Sequence, residues 1–329
     1  MENLFEIRGL SVVYRMKKYD LKAVTDANLD IKAGKVTAIV GESGSGKSTL
    51  ASAIINCLSE PGIISGGSIY YYGSGQKEDA AAFDGKRLSG YRWGEVSMVF
   101  QGAQSALNPL MTVKEHFIET YAVHNHALKR REMLDFCDKK TRELLQFVSL
   151  DADRILDMYP HELSGGMKQR VMIAFAMLLD PKLIILDEPT TALDVIVQNS
   201  IFKILKRANR EKGVSMLLLT HDIGVVAEFS DYVAVMYGGR IAEYGSVKTV
   251  FKERSHPYTR GLIGATPSLT GDIAEMRSIP GQPPDIRELP AGCVFHSRCE
   301  ECFDKCRTDI PEEIWDNGHM CACHLRKNI

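Results

Sequence analysis

The octapeptide GESGSGKS, residues 41–48, constrains this chain more than any other feature. Glycines at 41, 44 and 46 leave backbone N–H groups free to converge where a Cβ would intrude, and a lysine and a hydroxyl follow at once. KVTAIV, residues 35–40, is a short apolar run of buried-strand type, and STLASAIINCL after the loop reads as a helix. Strand, loop, helix is the context that the pattern G-x-x-x-x-G-K-[ST] needs to hold phosphate. The expected fold is therefore α/β, with Gly41, Gly44 and Gly46 opening the amides and the helix start adding its positive end. Lys47 is expected on the β- and γ-phosphates and Ser48 on Mg²⁺. Ser43, Ser45 and Thr49 belong to the same ATP-contacting set.

LIILDE, residues 183–188, supplies the complementary half. Leu183 to Leu186 form a buried strand that delivers Asp187 to the metal, and Glu188 is placed to polarise an attacking water. VSMLLLTHD, residues 214–222, is a second such run; both suit a parallel sheet covered on both faces. His221 at its polar end is positioned for the γ-phosphate. Gln101, ending VSMVFQ, is a candidate for Mg²⁺ or the lytic water.

LSGGMKQR, residues 163–170, is a second element of phosphate-holding type. Ser164 is an N-cap, the apolar VMIAFAMLL follows, and Gly165–Gly166 leaves the backbone approachable. The chain's own phosphate is already gripped by residues 41–48. The second site therefore serves a nucleotide on another subunit, so that two subunits head to tail would sandwich two ATP molecules.

FEIRGLSVVYR and AVTDANLDI alternate as half-buried strands of an antiparallel layer. Residues 73–86 read as a polar surface loop and 105–160 as largely helical, while YVAVMYGGRIAEYG reads as a hairpin turning at Gly238–Gly239. The texture becomes Pro- and Cys-rich from His256. The division expected is a catalytic domain at 1–255, with a helical subdomain at about 105–180, and an extension at 256–329.

Among the chain's 329 residues, a net charge of −2 gives no electrostatic case for nucleic acid. The longest apolar run, residues 171–179, is too short to cross a bilayer. Of eight cysteines, Cys57 and Cys137 are isolated and read as buried small hydrophobes. The other six fall between Cys293 and Cys323, a density that points to metal in a reducing compartment. Zinc on Cys299, Cys302, Cys321 and Cys323 is one arrangement; an iron–sulfur cluster is the other. The tail is expected to staple an extension that buries little core.

GESGSGKS, Gln101, LSGGMKQR, LIILDE, TALD (residues 191–194) and His221 stand in the order and approximate spacing of ATP-binding-cassette (ABC) ATPases, from about Leu4 to Phe251. The chain resembles that family. The resemblance implies a mixed, largely parallel sheet core with an antiparallel β layer and a helical subdomain. It also implies that Ser164, Gly165 and Gly166 reach the γ-phosphate in trans, that Asp194 crosses a dimer interface, and that Tyr14 stacks on adenine, with Tyr19 as the rival. FQGAQSALNPLMTV, SHPYTRGLIGATPS and the cysteine tail are similar to segments of oligopeptide and dipeptide importer ATPases. By that resemblance, Cys293, Cys299, Cys306 and Cys323 hold a [4Fe–4S] cluster. The chain departs from the pattern at Gly102–Ala103, where an acid–proline pair is common, and in the extra Cys302 and Cys321. The partners implied are a second ABC subunit, identical or not, two membrane permease subunits and an external binding protein. The location implied is peripheral, on the cytoplasmic face of the membrane. Cargo stays open among oligopeptides, dipeptides, nickel and other small solutes. The competing classes are a non-transport cassette in DNA repair or translation, which would carry paired cassettes or long coiled coils, and an electron-transfer protein with a nucleotide switch.

Overall fold

The computed structural model describes residues 2–102, 106–125, 129–191, 193–265 and 279–326. Ala103, in the segment after Gln101, and Ala192, within TALD, lie outside them. The chain divides into two compact units: Met1–Ala82 with Leu218–Ile329, and Phe83–Leu217.

In the first unit, β1 (Asn3–Arg15) pairs antiparallel with β2 (Asp20–Lys32) and with β4 (Gly62–Tyr71), and β4 carries the short β5 (Glu78–Asp79). Side-chain alternation explains the layer: Phe5, Ile7, Leu10 and Val12 on β1, and Val24, Ala27, Leu29 and Ile31 on β2, are buried, with more exposed residues between. β4 escaped the sequence reading because Gly66–Gly67 interrupts its pattern. The stretch read as a surface loop is partly ordered into the core: Asp79 accepts from the amides of Ile69 and Ala81 at 3.0 and 3.1 Å, and Ala80 is fully buried.

The same unit holds the sheet order β11 (Ile314–Asp316), β12 (His319–Cys321), β10 (Arg240–Ser246), β9 (Tyr232–Tyr237), β3 (Val36–Val40). β3 and β9 are parallel, whereas β9 and β10 form the expected hairpin through Gly238 and Gly239, both at positive φ. Around it lie α1 (Lys47–Ile54), α8 (Ile223–Phe229), α9 (Val247–Glu253), α10 (Pro257–Gly264) and α11 (Asp304–Thr308). Cys57 is exposed, contrary to the sequence reading; the chain turns through Asn56 at positive φ just past α1 and carries it outward. Cys137 is buried as read.

The cysteine tail corrects a further expectation. β12 pairs with β10 through Glu243↔Cys321 and Tyr244↔Met320, and Met320 and Cys321 are fully buried. Phe295, 4% exposed, packs its ring 5.2 Å from Tyr237 and 5.3 Å from Tyr258. Each such apolar side chain contributes roughly 1.5–3 kcal/mol, so the extension is part of the core. Three-residue strands are too short to carry a period, and the Pro-rich lead-in hid them.

In the second unit, β6 (Val96–Val99) and β7 (Leu183–Asp187) are parallel and wholly buried. β8 (Ser215–Thr220), equally buried, carries the chain across the division. The helices are α2 (Gly85–Tyr91), α3 (Val113–His124), α4 (Arg130–Phe147), α5 (Ala152–Ile155), α6 (Gly165–Ala176) and α7 (Val195–Lys212). Thr112 and Glu115 start α3 with a reciprocal capping box. α4 buries Met133, Cys137, Thr141, Leu144 and Leu145 at helical spacing. The second half of α6 is apolar because it lies in the interior: Val171 to Ala176 are all buried, and Phe175 meets Trp93 and Phe117 at centroid distances of 4.5 and 5.1 Å.

Candidate nucleotide and cysteine sites

The phosphate loop joins β3 to α1 with the tightness its glycines imply. A Cβ on Gly41 would sit 2.1 Å from the Met236 carbonyl oxygen, and one on Gly46, at φ +103°, 2.3 Å from that of Ala23. No other residue fits either place. Gly46 precedes α1 without any side-chain cap, so no side chain of the N-cap residue covers the positive end of the helix. The Lys47 ammonium donates to the carbonyls of Gly41 and Glu42 at 2.8 and 2.9 Å, inside the loop. Ser43, Gly44 and Ser48 are exposed at its mouth, and Thr49 is half-buried. Ser45 Oγ is buried with no hydrogen-bond partner among the described residues. In the same unit, His221 is exposed just past the end of β8. Tyr14, opposite Gly62, lays its ring over that glycine, whereas Tyr19 is exposed at the hairpin tip.

In the second unit, β7 ends on Asp187, 5% exposed. Glu188 follows at φ +46°, a left-handed conformation unfavourable to a glutamate. That turn aims its carboxylate so that Gln101 Nε2 and Thr191 Oγ1 both donate to the same Oε2 at 3.0 Å. Thr191 was not singled out from the sequence; TALD was read for its aspartate alone.

The signature segment is built as read, with one difference. Ser164 is the exposed N-cap of α6 and accepts from the Met167 amide at 3.3 Å. Gly165 and Gly166 open the helix. A Cβ on Gly166, however, would lie 2.9 Å from Val197 Cγ1 of α7, so this glycine also admits the neighbouring helix. Asp194 caps α7 by accepting from the Val197 amide at 2.9 Å, and the next two side chains, Val195 and Ile196, are 69% and 83% exposed.

Residues 24–191 match the ABC transporter family, and residues 242–306 match the oligopeptide/dipeptide transporter C-terminal region. The chain is 42% identical over 326 residues to the dipeptide transport ATP-binding protein DppD of Caldanaerobacter subterraneus subsp. tengcongensis, covering 99% of this chain and 98% of that protein. The oligopeptide transport ATP-binding protein OppD of Salmonella typhimurium is 41% identical over 320 residues, with 97% and 93% covered. The chain belongs to the oligopeptide/dipeptide group of ABC transporter ATPases. A dimeric post-hydrolysis state of the ATP-binding cassette MJ0796, bound to ADP and Pi, is similar at TM-score 0.63 and 30% identity over 74% of this chain and 98% of that one. CbiO1 of Clostridium perfringens, part of the transporter complex cbiONQ, is similar at TM-score 0.63 and 29% identity, covering 80% and 96%. The fold is thus the ABC cassette, and the activity is that of an ATPase.

The cassette's extension gathers four of its six cysteines. Cys293, Cys299, Cys306 and Cys323 line one cavity with His256 and Phe295. Cys302 points its thiol toward the Phe303 carbonyl, and Cys321 is buried on β12; neither lines that cavity. Burial pushes the thiols of Cys293 and Cys299 up to about 11, opposed by backbone N–H groups of Phe295 and Glu301 directed at the sulfurs. Cys323 is likewise raised by burial, against the amides of Leu325 and Arg326. Among the described residues, no three His, Cys, Asp or Glu side chains converge closely enough to grip a single metal ion.

Proposed function

We propose that this cassette binds and hydrolyses ATP on the cytoplasmic face of a cell membrane and drives peptide import through a multisubunit transporter. The observation that carries the reading is the Glu188 carboxylate, held by Gln101 and Thr191 one residue after buried Asp187. A carboxylate fixed in this way is prepared to orient and polarise a water. In this reading residues 41–49 cradle the phosphates, and Ser48, Gln101 and Asp187 hold Mg²⁺, which would neutralise charge building on the phosphate oxygens. His221 contacts the γ-phosphate, and Tyr14 supports the base. The catalytic portion spans 1–255 and the cysteine extension 256–329.

Ser164, Gly165, Gly166 and Asp194 act on the ATP of a second cassette. The exposed Val195 and Ile196 beside Asp194 support an interface there, since apolar side chains so open to water call for a partner. Leu110, 84% exposed, and Phe100, 44% exposed, border the segment after Gln101 and support contact with a membrane subunit. Among the described residues no helix is long and apolar enough to cross a membrane; the path is assigned to two permease subunits, fed by an external binding protein. Peptide cargo rests on the relatives' names, dipeptide and oligopeptide transport proteins. The deciding experiment is Glu188→Gln with its partner cassette and MgATP. ATP should still bind and the dimer persist, while hydrolysis falls at least about 100-fold; wild-type turnover would refute the assignment.

The group assigned to Cys293, Cys299, Cys306 and Cys323 is a [4Fe–4S] cluster. Four of the six cysteines line one cavity, and N–H groups aimed at the sulfurs of Cys293, Cys299 and Cys323 are what stabilise thiolates. The zinc set of the sequence reading needs Cys302 and Cys321, which stand outside that cavity. Protein purified without oxygen should carry visible absorbance with iron and sulfide in equal amounts. Cys306→Ser should abolish it and Cys302→Ser leave it unchanged; a colourless zinc protein would reverse the choice.

A further inference from the structure

Arg298 stands one residue before Cys299, in the single helical turn His296–Arg298, with a side chain only 5% exposed. Its guanidinium does not serve the cysteines. Nη1 and Nη2 donate to the two carboxylate oxygens of Glu42 at 2.8 and 3.1 Å, Nη1 also reaches Tyr237 Oη at 3.1 Å, and Nε donates to the Pro280 carbonyl at 2.7 Å. Glu42 is the second residue of the phosphate loop. Its amide donates to Tyr258 Oη of α10 at 3.0 Å, and its carbonyl accepts from Lys47. Side chain, amide and carbonyl of one loop residue are therefore each fixed, two of them by residues beyond 255. Pro283 and Pro284 line one cavity with Glu42, Ser43, Gly44 and Ser45.

The loop pattern makes no demand for a carboxylate at position 42. An uncompensated one beside a triphosphate would repel it. A bidentate arginine cancels that charge and locks the geometry, which a point charge on a flexible stem does not.

We propose that Arg298 is a positioning residue for ATP: by clamping Glu42 it holds the phosphate loop in its receptive shape and couples the cysteine element to nucleotide affinity. The inference rests on the reading of residues 41–48 as the ATP site. It is tested on the full chain by titrating MgATP against folded variants, with folding checked by far-UV circular dichroism and thermal melting. Lys47→Ala tests the site itself and should abolish binding. Arg298→Gln should weaken binding at least tenfold, and Arg298→Lys about threefold. Adding Glu42→Gln to Arg298→Gln should restore most of the affinity, because no stranded carboxylate remains; an arginine that merely braces the extension through Tyr237 and Pro280 predicts no such rescue. Wild-type affinity in Arg298→Gln, or in Arg298→Lys should the glutamine variant not fold, overturns the proposal, and so does a loss that Glu42→Gln leaves in place. Undiminished binding by Lys47→Ala overturns the reading of the loop instead.

Discussion

Glu188 occupies a left-handed backbone conformation for which a β-carbon costs about 1–2 kcal/mol. Strain of that kind persists where position matters more than stability. Replacing Glu188 with glycine should therefore leave the melting temperature no lower than that of the native chain while nearly eliminating ATP turnover. Gly166 illustrates the opposite case. Its missing side chain faces Val197, so Gly166→Ala should destabilise by about 1–3 kcal/mol in thermal melts, and a Val197→Ala background should relieve most of that cost. Here the sequence was informative in part. Residues whose role follows from chemical type, such as Lys47, Asp187 and Glu188, could be read directly. A glycine's role depends on what lies opposite it, and Thr191 matters only because a turn folds it back on Glu188.

At the scale of the element, α10 and β10 share an acid-sensitive joint. Burial holds the His256 ring down at about 4, against the pull of Glu243, and its Nδ1 accepts from the Tyr258 amide as the N-terminal cap of α10. Burial also pushes Glu243 upward, but hydrogen bonds from His319 and from the amides of His256 and Ser255 outweigh it, leaving the carboxyl below its ordinary range. Both groups bind protons more weakly folded than unfolded. The contribution of His256 is complete above its unfolded value near 6.5 and is lost as the pH falls toward 4; that of Glu243 follows at lower pH. Denaturant titrations should show stability declining below about pH 6.5, by on the order of 3 kcal/mol for the histidine. His256→Asn, which keeps a capping oxygen, should flatten that limb of the curve. The elements with a clear period or an unbroken apolar run, β1, β2, β7, β8 and α6, were legible in the sequence. β4 with its glycine pair and the three-residue β11 and β12 were not, since their pairing is decided by distant strands.

For the whole molecule, association is the property the sequence implied without showing its surface. Ile196 is 83% exposed next to Asp194. Ile196→Asp should leave the isolated chain within about 0.5 kcal/mol of its native stability yet weaken ATP-dependent pairing of Glu188→Gln cassettes at least tenfold, as read by sedimentation. The tail's place in the molecule also went unread, because its composition looked like that of a separable appendix. It is instead the flank of a sheet: β12 pairs with Glu243 and Tyr244 in the middle of β10, and β11 completes the border with a strand of only three residues. A chain cut before residue 314 would bare the middle of β10, leaving amides and carbonyls of a buried strand open, a template for pairing with another molecule. Loss of this border should thus show itself first as insoluble protein in the cell, well before any question of transport arises.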